Sequence, residues 1–137
     1  MGQTKAPDGT VLLVDDDVTL LRSIQRLLQQ LNLRVETHAS PFGVLNRIAE
    51  LRPDLVMLDV EMPGLEGTDL TTLIRADPEL SKVRIILHSG LEDRELSKMA
   101  LACKADDYIS KQRGLATLTL DVVQWLQGNL RFRHLHD

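Results

Sequence analysis

Residues 54–67 read DLVMLDVEMPGLEG, an apolar run that ends in an acid and is followed by a Met-Pro-Gly turn. Four consecutive apolar residues, Leu55 to Leu58, are typical of a strand that is covered on both faces of a parallel sheet. Four other ranges carry strand patterns of similar or weaker strength: 11–14, 34–38, 83–87 and 108–110. The sequence therefore predicts five short strands, most of them of the buried type.

Helical patterns alternate with these strands, because apolar residues recur at three- and four-residue spacing in five segments: 20–31, 40–51, 67–76, 92–103 and 115–130. Asp17 is expected to cap the first helix. Ser40 and Pro41 are expected to open the second, as its cap and its first residue. Strict alternation predicts an α/β fold, a doubly wound five-stranded parallel sheet with five helices on its two faces.

Length and composition limit the classes of protein to which the chain can belong. It has 137 residues, of which 43% are hydrophobic, which suits one globular domain. The net charge of −4 argues against a broad nucleic-acid surface. One cysteine cannot form an internal disulfide, and no apolar run approaches the roughly 18 residues of a membrane span. We expect a cytoplasmic protein with a flexible N-terminus at 1–9, a domain at 10–128, and a tail or connector at 129–137.

Polar side chains with a common chemistry follow the predicted strands. Asp15 and Asp16 follow the first strand, Asp59 ends the third, Ser89 follows the fourth and Lys111 the fifth. The carboxyl ends of parallel strands meet at one edge of the sheet, so we expect these side chains to converge. Crowded carboxylates need a cation, and oxygen ligands suit Mg²⁺. A carboxylate at such a site could attack a phosphoryl group, with the lysine neutralising its oxygens.

The motifs in this order resemble the response-regulator receiver domains of bacterial two-component signalling, and the chain is similar to the stand-alone chemotaxis receiver over about residues 10–126. The matching segments are LLVDDD at 12–17, DLVMLDVEMPGLEG at 54–67, IILHSG at 85–90 and ADDYISK at 105–111. The resemblance implies a flavodoxin-like receiver fold. It also implies a phosphorylated signalling protein that is not an enzyme beyond assisting its own Mg²⁺-dependent phosphoryl transfer and dephosphorylation.

By this resemblance, Asp59 is the phosphoacceptor and also a ligand of Mg²⁺. Asp16 is a direct metal ligand, Asp15 assists through water, and the backbone carbonyl of Glu61 is a further ligand.

The resemblance also implies which groups respond to the phosphoryl group. Lys111 contacts it, Ser89 supplies the switch hydroxyl, and Tyr108 is the aromatic side chain that changes rotamer. Receiver domains usually have a proline after this lysine, joined by a cis peptide bond, whereas here Gln112 follows. A trans bond is therefore expected.

The implied partners are a histidine kinase or phosphotransfer protein and either a downstream protein target or an effector domain missing from this chain. Direct contact with nucleic acid or a membrane is not expected, and the oligomeric state stays open. Two alternatives remain. One is a receiver-like docking module that does not use phosphate. The other is a haloacid-dehalogenase-type phosphatase with Asp15 as its nucleophile, because Asp15-x-Asp17 after an apolar strand fits the first motif of that family.

Overall fold

A computed structural model of the chain describes residues 6–132, in which strands and helices alternate. The strands are β1 (Thr10–Val14), β2 (Arg34–His38), β3 (Leu55–Asp59), β4 (Ile85–Ser89) and β5 (Asp107–Ser110). The α-helices are α1 (Val18–Gln29), α2 (Val44–Leu51), α3 (Gly67–Ala76), α4 (Asp93–Cys103) and α5 (Gly114–Leu126). A short 3₁₀ turn, Lys111–Arg113, joins β5 to α5.

The five strands form one parallel sheet in the order β2-β1-β3-β4-β5. The predicted α/β fold with a doubly wound five-stranded sheet and five helices is therefore confirmed. Successive strands are added on one side of β1 and then, from β3 onward, on its other side. Folds of this kind leave a crevice at the carboxyl ends of the strands where this order switches, here between β1 and β3. In register, Asp59 lies opposite His88 and Ser89 lies opposite Ser110, so the polar ends of three strands are level.

Two apolar layers hold the helices to the sheet, because successive strand residues point to opposite faces. One layer joins α1 and α5 to side chains such as Leu13, Met57 and Ile86. The other joins α2, α3 and α4 to side chains such as Leu58 and Leu87. Burial on both faces explains why β3 and β4 are almost continuously apolar.

The first two helices begin differently from one another. Asp17 caps α1 as predicted, because its Oδ1 accepts a hydrogen bond of 3.0 Å from the Leu20 amide. The prediction that Ser40 and Pro41 open α2 is wrong, since this helix begins at Val44. Gly43 has a φ of 80°, a left-handed conformation that interrupts helical geometry. Ser40 instead accepts a hydrogen bond from the amide of Phe42 within the preceding turn.

The last helix is shorter than its apolar pattern predicts. α5 ends at Leu126 rather than near Leu130, and Gly128 has a φ of 92° just beyond it. A left-handed glycine at this place is a common helix terminator. Leu130 nevertheless packs against the layer formed with α1 and α5, which accounts for the apolar pattern continuing past the helix.

None of the helices within residues 6–132 is both long enough and apolar enough to cross a bilayer. The predicted boundaries of the flexible N-terminus, the domain and the C-terminal tail stay predictions. Residues 1–5 and 133–137 lie outside the part of the chain that the structure describes.

Candidate functional site

Three carboxylates meet at the carboxyl end of the sheet. Asp15 and Asp16 follow β1, and Asp59 ends the neighbouring strand β3. One oxygen atom from each of the three side chains lies within 4.8 Å of the other two. Asp15 and Asp59 are buried, whereas Asp16 is exposed. The cluster thus combines two desolvated acids with one that faces solvent, and it can offer several oxygen ligands to a cation.

Lys111, which directly follows the edge strand β5, brings a positive charge to the same cluster. Its Nζ lies 2.8 Å from Oδ2 of Asp15 and 3.4 Å from Oδ1 of Asp59. The lysine directly follows β5, so the predicted convergence of strand ends brings it to both acids. One ammonium group therefore bridges two buried carboxylates.

Backbone amides fix the direction of the two buried carboxylates. The amide of Asp17 donates to Oδ1 of Asp15 at 2.9 Å, and the amide of Glu61 donates to Oδ1 of Asp59 at 3.3 Å. In each case the donor lies two residues after the acceptor, which is the local bond that aspartate favours in turns. The backbone of Glu61 is held beside Asp59 in this way.

Crowding and burial perturb the titration of the cluster. Burial raises the pKa of Asp59 to about 6, the negative charge of Asp15 adds to the rise, and the Lys111 ammonium opposes it. Burial alone would lower the pKa of Lys111, but its hydrogen bond to Asp15 and the charges of both acids raise it instead. One lysine leaves the charge of three carboxylates incompletely balanced, which favours an additional cation.

Gly67 allows α3 to begin directly against the end of β3. A Cβ atom at this position would lie 2.2 Å from the backbone oxygen of Asp59. The Gly67 amide donates to the carbonyl of Val60 at 2.8 Å, which closes the loop between the strand and the helix. The glycine of the Met-Pro-x-x-x-Gly motif therefore permits the backbone approach that positions Asp59.

Ser89 and Tyr108 lie on the two strands beyond Asp59. Ser89 is fully buried at the end of β4, and its Oγ accepts a hydrogen bond of 3.2 Å from the amide of Leu91. Tyr108 is opposite Leu87 in the register of β4 and β5, two residues before the pair of Ser89 and Ser110. Ser89 and Tyr108 therefore lie on successive strands, each farther from Asp59 and nearer the edge of the sheet.

Two residues near the carboxylate cluster have contacts that the sequence did not predict. His88 is buried opposite Asp59, and burial lowers the pKa of its imidazole to about 4, with Lys111 adding to the effect. The available signal was a histidine between the apolar run of β4 and Ser89. Gln112 donates from Nε2 to the carbonyl of Gly90 at 2.9 Å, linking the loops after β5 and β4. The Lys111–Gln112 peptide is trans, as expected.

The chain belongs to the response-regulator receiver family, since the model of the response regulator receiver domain matches residues 11–122. Transcriptional regulatory protein PrrA of Mycobacterium leprae is 35% identical over 113 residues, which cover 82% of this chain and 47% of that protein. DNA-binding response regulator MtrA of Mycolicibacterium paratuberculosis is 35% identical over 101 residues, which cover 74% of this chain and 44% of the relative. This chain thus spans less than half the length of these two relatives.

Solved structures share the same fold. The receiver domain protein of Methanospirillum hungatei superposes with a TM-score of 0.78 at 26% identity, covering 91% of this chain and 97% of the other. Chemotaxis response regulator CheY4 of Vibrio cholerae gives a TM-score of 0.77 at 25% identity, covering 90% and 99%. The resemblance read from the sequence is confirmed at the level of family and fold.

Proposed function

We propose that this receiver domain accepts a phosphoryl group on Asp59 in a Mg²⁺-dependent reaction and thereby switches a protein-interaction surface. The observation that carries the proposal is the cluster of three carboxylates within 4.8 Å, with the Lys111 ammonium bound to two of them. A turn or a helix cap accounts for one such acid but not for three acids and a lysine drawn from three strands.

The residues present fit a divalent cation of the Mg²⁺ type. Oxygen donors come from Asp15, Asp16 and Asp59, and the backbone of Glu61 is held beside them as a further carbonyl donor. Mg²⁺ commonly uses one or two carboxylates and keeps several waters, which suits a cluster with one exposed member. When bound, Mg²⁺ supplies the positive charge that lets the carboxylates stay ionised beside an incoming phosphoryl group.

The chain's own side chains supply the rest of the chemistry. An oxygen of Asp59 attacks the phosphorus of a phosphohistidine, a P–O bond forms, and the P–N bond breaks with its electron pair staying on the imidazole. Lys111, already bound to Asp59, neutralises charge on the phosphoryl oxygens. Ser89 leaves its local bond to Leu91 to donate its hydroxyl to the phosphoryl group, and Tyr108 follows that movement.

The partners are proposed from the family and its chemistry. A histidine kinase or phosphotransfer protein donates the phosphoryl group in the cytoplasm, and the face of α4, β5 and α5 transmits the change. The relatives PrrA and MtrA are named as a transcriptional regulator and a DNA-binding regulator. Output through an effector domain or through a separate protein target is consistent with a chain that matches only part of each. Apart from assisting its own phosphorylation and dephosphorylation, the domain acts as a signalling module.

Mass spectrometry of the intact chain and its peptides tests the proposal, after incubation with Mg²⁺ and a small phosphodonor such as acetyl phosphate. One phosphoryl group on the peptide that contains Asp59 is the expected result. The Asp59→Asn variant is expected to lose this label. Asp17→Asn is the matched control, because Asp17 belongs to the same acidic run but caps α1, a role that asparagine fills equally well.

Other outcomes point to the alternatives. A label on Asp15 would contradict the assignment and favour the haloacid-dehalogenase-type phosphatase. A chain that takes no label with Mg²⁺ from either acetyl phosphate or a phosphohistidine protein would favour the phosphate-independent docking module.

A further inference from the structure

The last described residues of the chain lie across the edge of the sheet. After α5, Gly128 turns the chain, and residues 128–132, here called the strap, run over the edge strand β5. Leu130 packs against the core layer of α1 and α5, whereas Phe132 packs against the layer of α2, α3 and α4. The strap therefore wraps around β5 from one face of the sheet to the other.

Backbone hydrogen bonds attach the strap to the start of β5. The amide of Phe132 donates to the carbonyl of Asp106 at 2.9 Å, and the amide of Arg131 donates to Oδ2 of Asp107 at 3.2 Å. An edge strand offers donors and acceptors to any extended segment that lies beside it. The strap makes one backbone bond of this kind, to the carbonyl of Asp106 just before β5.

Two side chains of the strap cover Tyr108. The Arg131 guanidinium lies 4.6 Å from the centre of the Tyr108 ring, and its Nε donates to Oδ1 of Asp107 at 2.9 Å. The Phe132 ring stacks on the same tyrosine with a centroid distance of 6.3 Å and an interplanar angle of 29°. Tyr108 is 8% exposed as a result of this packing and that of its own strand.

The face beneath the strap is acidic. Asp107 is buried and also accepts a hydrogen bond of 3.0 Å from Nε1 of Trp125, while Asp121 of α5 lies nearby. Burial raises the pKa of Asp121, the charge of Asp107 adds to the rise, and Arg113 and Arg131 oppose it. An aromatic platform beside two acids is complementary to a segment that carries a cation next to an aromatic ring.

The strap can leave without stripping Asp107 of all its hydrogen bonds. The Arg131 side chain is 55% exposed, and buried Asp107 has hydrogen bonds from Nε1 of Trp125 and the amide of Tyr108 that do not depend on the strap. A cleft of about 510 Å³, lined by residues that include Asp121, Gln124 and Trp125, separates part of the strap from α5. The strap thus lies over a partly open surface, with its arginine facing solvent.

We propose that the strap is an intramolecular ligand of the face formed by α4, β5 and α5, and that it competes there with a partner segment carrying a cation beside an aromatic side chain. The strap itself shows the chemistry that this face accepts: one backbone amide donating to the Asp106 carbonyl, one donating to the Asp107 carboxylate, a guanidinium over Tyr108 and an aromatic ring stacked on it. A protein segment of the same composition gains these contacts only when the strap leaves. This inference rests on the proposed function in one respect, namely that the face of α4, β5 and α5 contacts the output partner.

Nitration of tyrosine measures how well the strap covers the face in the unphosphorylated chain. Tyr108 is the only tyrosine of the sequence, so one modified peptide reports the reaction. If the strap is closed in about nine molecules of ten, the double variant Arg131→Ala/Phe132→Ala should react with tetranitromethane about tenfold faster. Arg26→Ala, which removes an exposed arginine from α1, should react at the wild-type rate.

Binding of a synthetic peptide then tests the competition. The probe has the sequence of residues 127–132, Gln-Gly-Asn-Leu-Arg-Phe, with blocked ends, and binding is followed by NMR shifts of residues around Tyr108. The double variant is expected to bind it about tenfold more tightly than the wild-type chain, because the wild-type face is occupied most of the time. A peptide with glutamate and serine in place of arginine and phenylalanine is the control and should not bind.

Equal nitration of the wild-type chain and the double variant would overturn the inference, as would equal peptide affinity. A double variant that loses its native circular dichroism is replaced by the single variant Phe132→Ala, which keeps the ion pair to Asp107. Neither measurement needs phosphorylation or Mg²⁺. A failure of Asp59 to accept phosphate would therefore leave the result on the strap intact, and the reverse also holds.

Discussion

Replacement of Gly67 by alanine tests how the backbone around Asp59 is built. The new Cβ atom would lie 2.2 Å from the Asp59 carbonyl oxygen and 3.0 Å from Cα of Val60. An ordinary contact begins at 3.4 Å, so the start of α3 or the end of β3 must move by about 1 Å. The obstacle is backbone, which cannot swing aside as a flexible side chain does. Overpacking of this kind costs about 3 kcal/mol, which lowers the Tm of a domain of this size by about 10 °C.

Thermal unfolding followed by circular dichroism measures that loss. The control is Gly90→Ala, because a Cβ atom at Gly90 meets nothing within 4 Å and should change the Tm by less than about 2 °C. Since the strained atom belongs to Asp59, Gly67→Ala should also slow phosphorylation at temperatures where the variant is still folded. A Tm within about 2 °C of the wild-type value would show that α3 does not pack tightly against the end of β3, and would contradict this prediction.

Three further predictions address other contacts. Lys111→Ala should slow phosphorylation of Asp59 by acetyl phosphate about 100-fold, as loss of one group that stabilises a transition state does; an unchanged rate would place Lys111 outside the reaction. Arg75→Met should cost about 3–5 kcal/mol in urea unfolding, because it removes the cation 2.9 Å from fully buried Asp106; a loss under 1 kcal/mol would contradict this. Burial raises the pKa of the Cys103 thiol, so iodoacetamide should alkylate the native chain at pH 8 about tenfold more slowly than the urea-unfolded chain, and equal rates would contradict the burial.

The architecture was predictable because local pattern and topology agree. The continuous apolar runs of β3 and β4 predict burial on both faces, and their alternation with helical patterns indicates a parallel sheet with helices on each side. Once the strands are parallel, their carboxyl ends must share an edge, so the convergence of Asp15, Asp59 and Lys111 follows from topology without any knowledge of side-chain positions.

What escaped prediction depends on contacts between residues distant in sequence or on backbone conformation. The start of α2 was misplaced because the Ser40-Pro41 pair resembles a helix start, whereas the left-handed Gly43 delays it. The apolar spacing that extends to Leu130 was interpreted as helix, although that residue packs in the strap. Periodicity reports which residues are buried, and it cannot tell a helical turn from an extended segment that buries the same side chain.

Phosphorylation of Asp59 at a magnesium site can be examined by crystallography of the chain with Mg²⁺ and beryllofluoride, a non-covalent mimic of the phosphoryl group. Beryllofluoride should lie on an oxygen of Asp59, with Lys111 and Ser89 in contact with its fluorine atoms and the metal held by Asp16, Asp59 and the carbonyl of Glu61. Beryllofluoride bound at another carboxylate would contradict the account. So would a metal that leaves these acids unliganded while the protein stays folded.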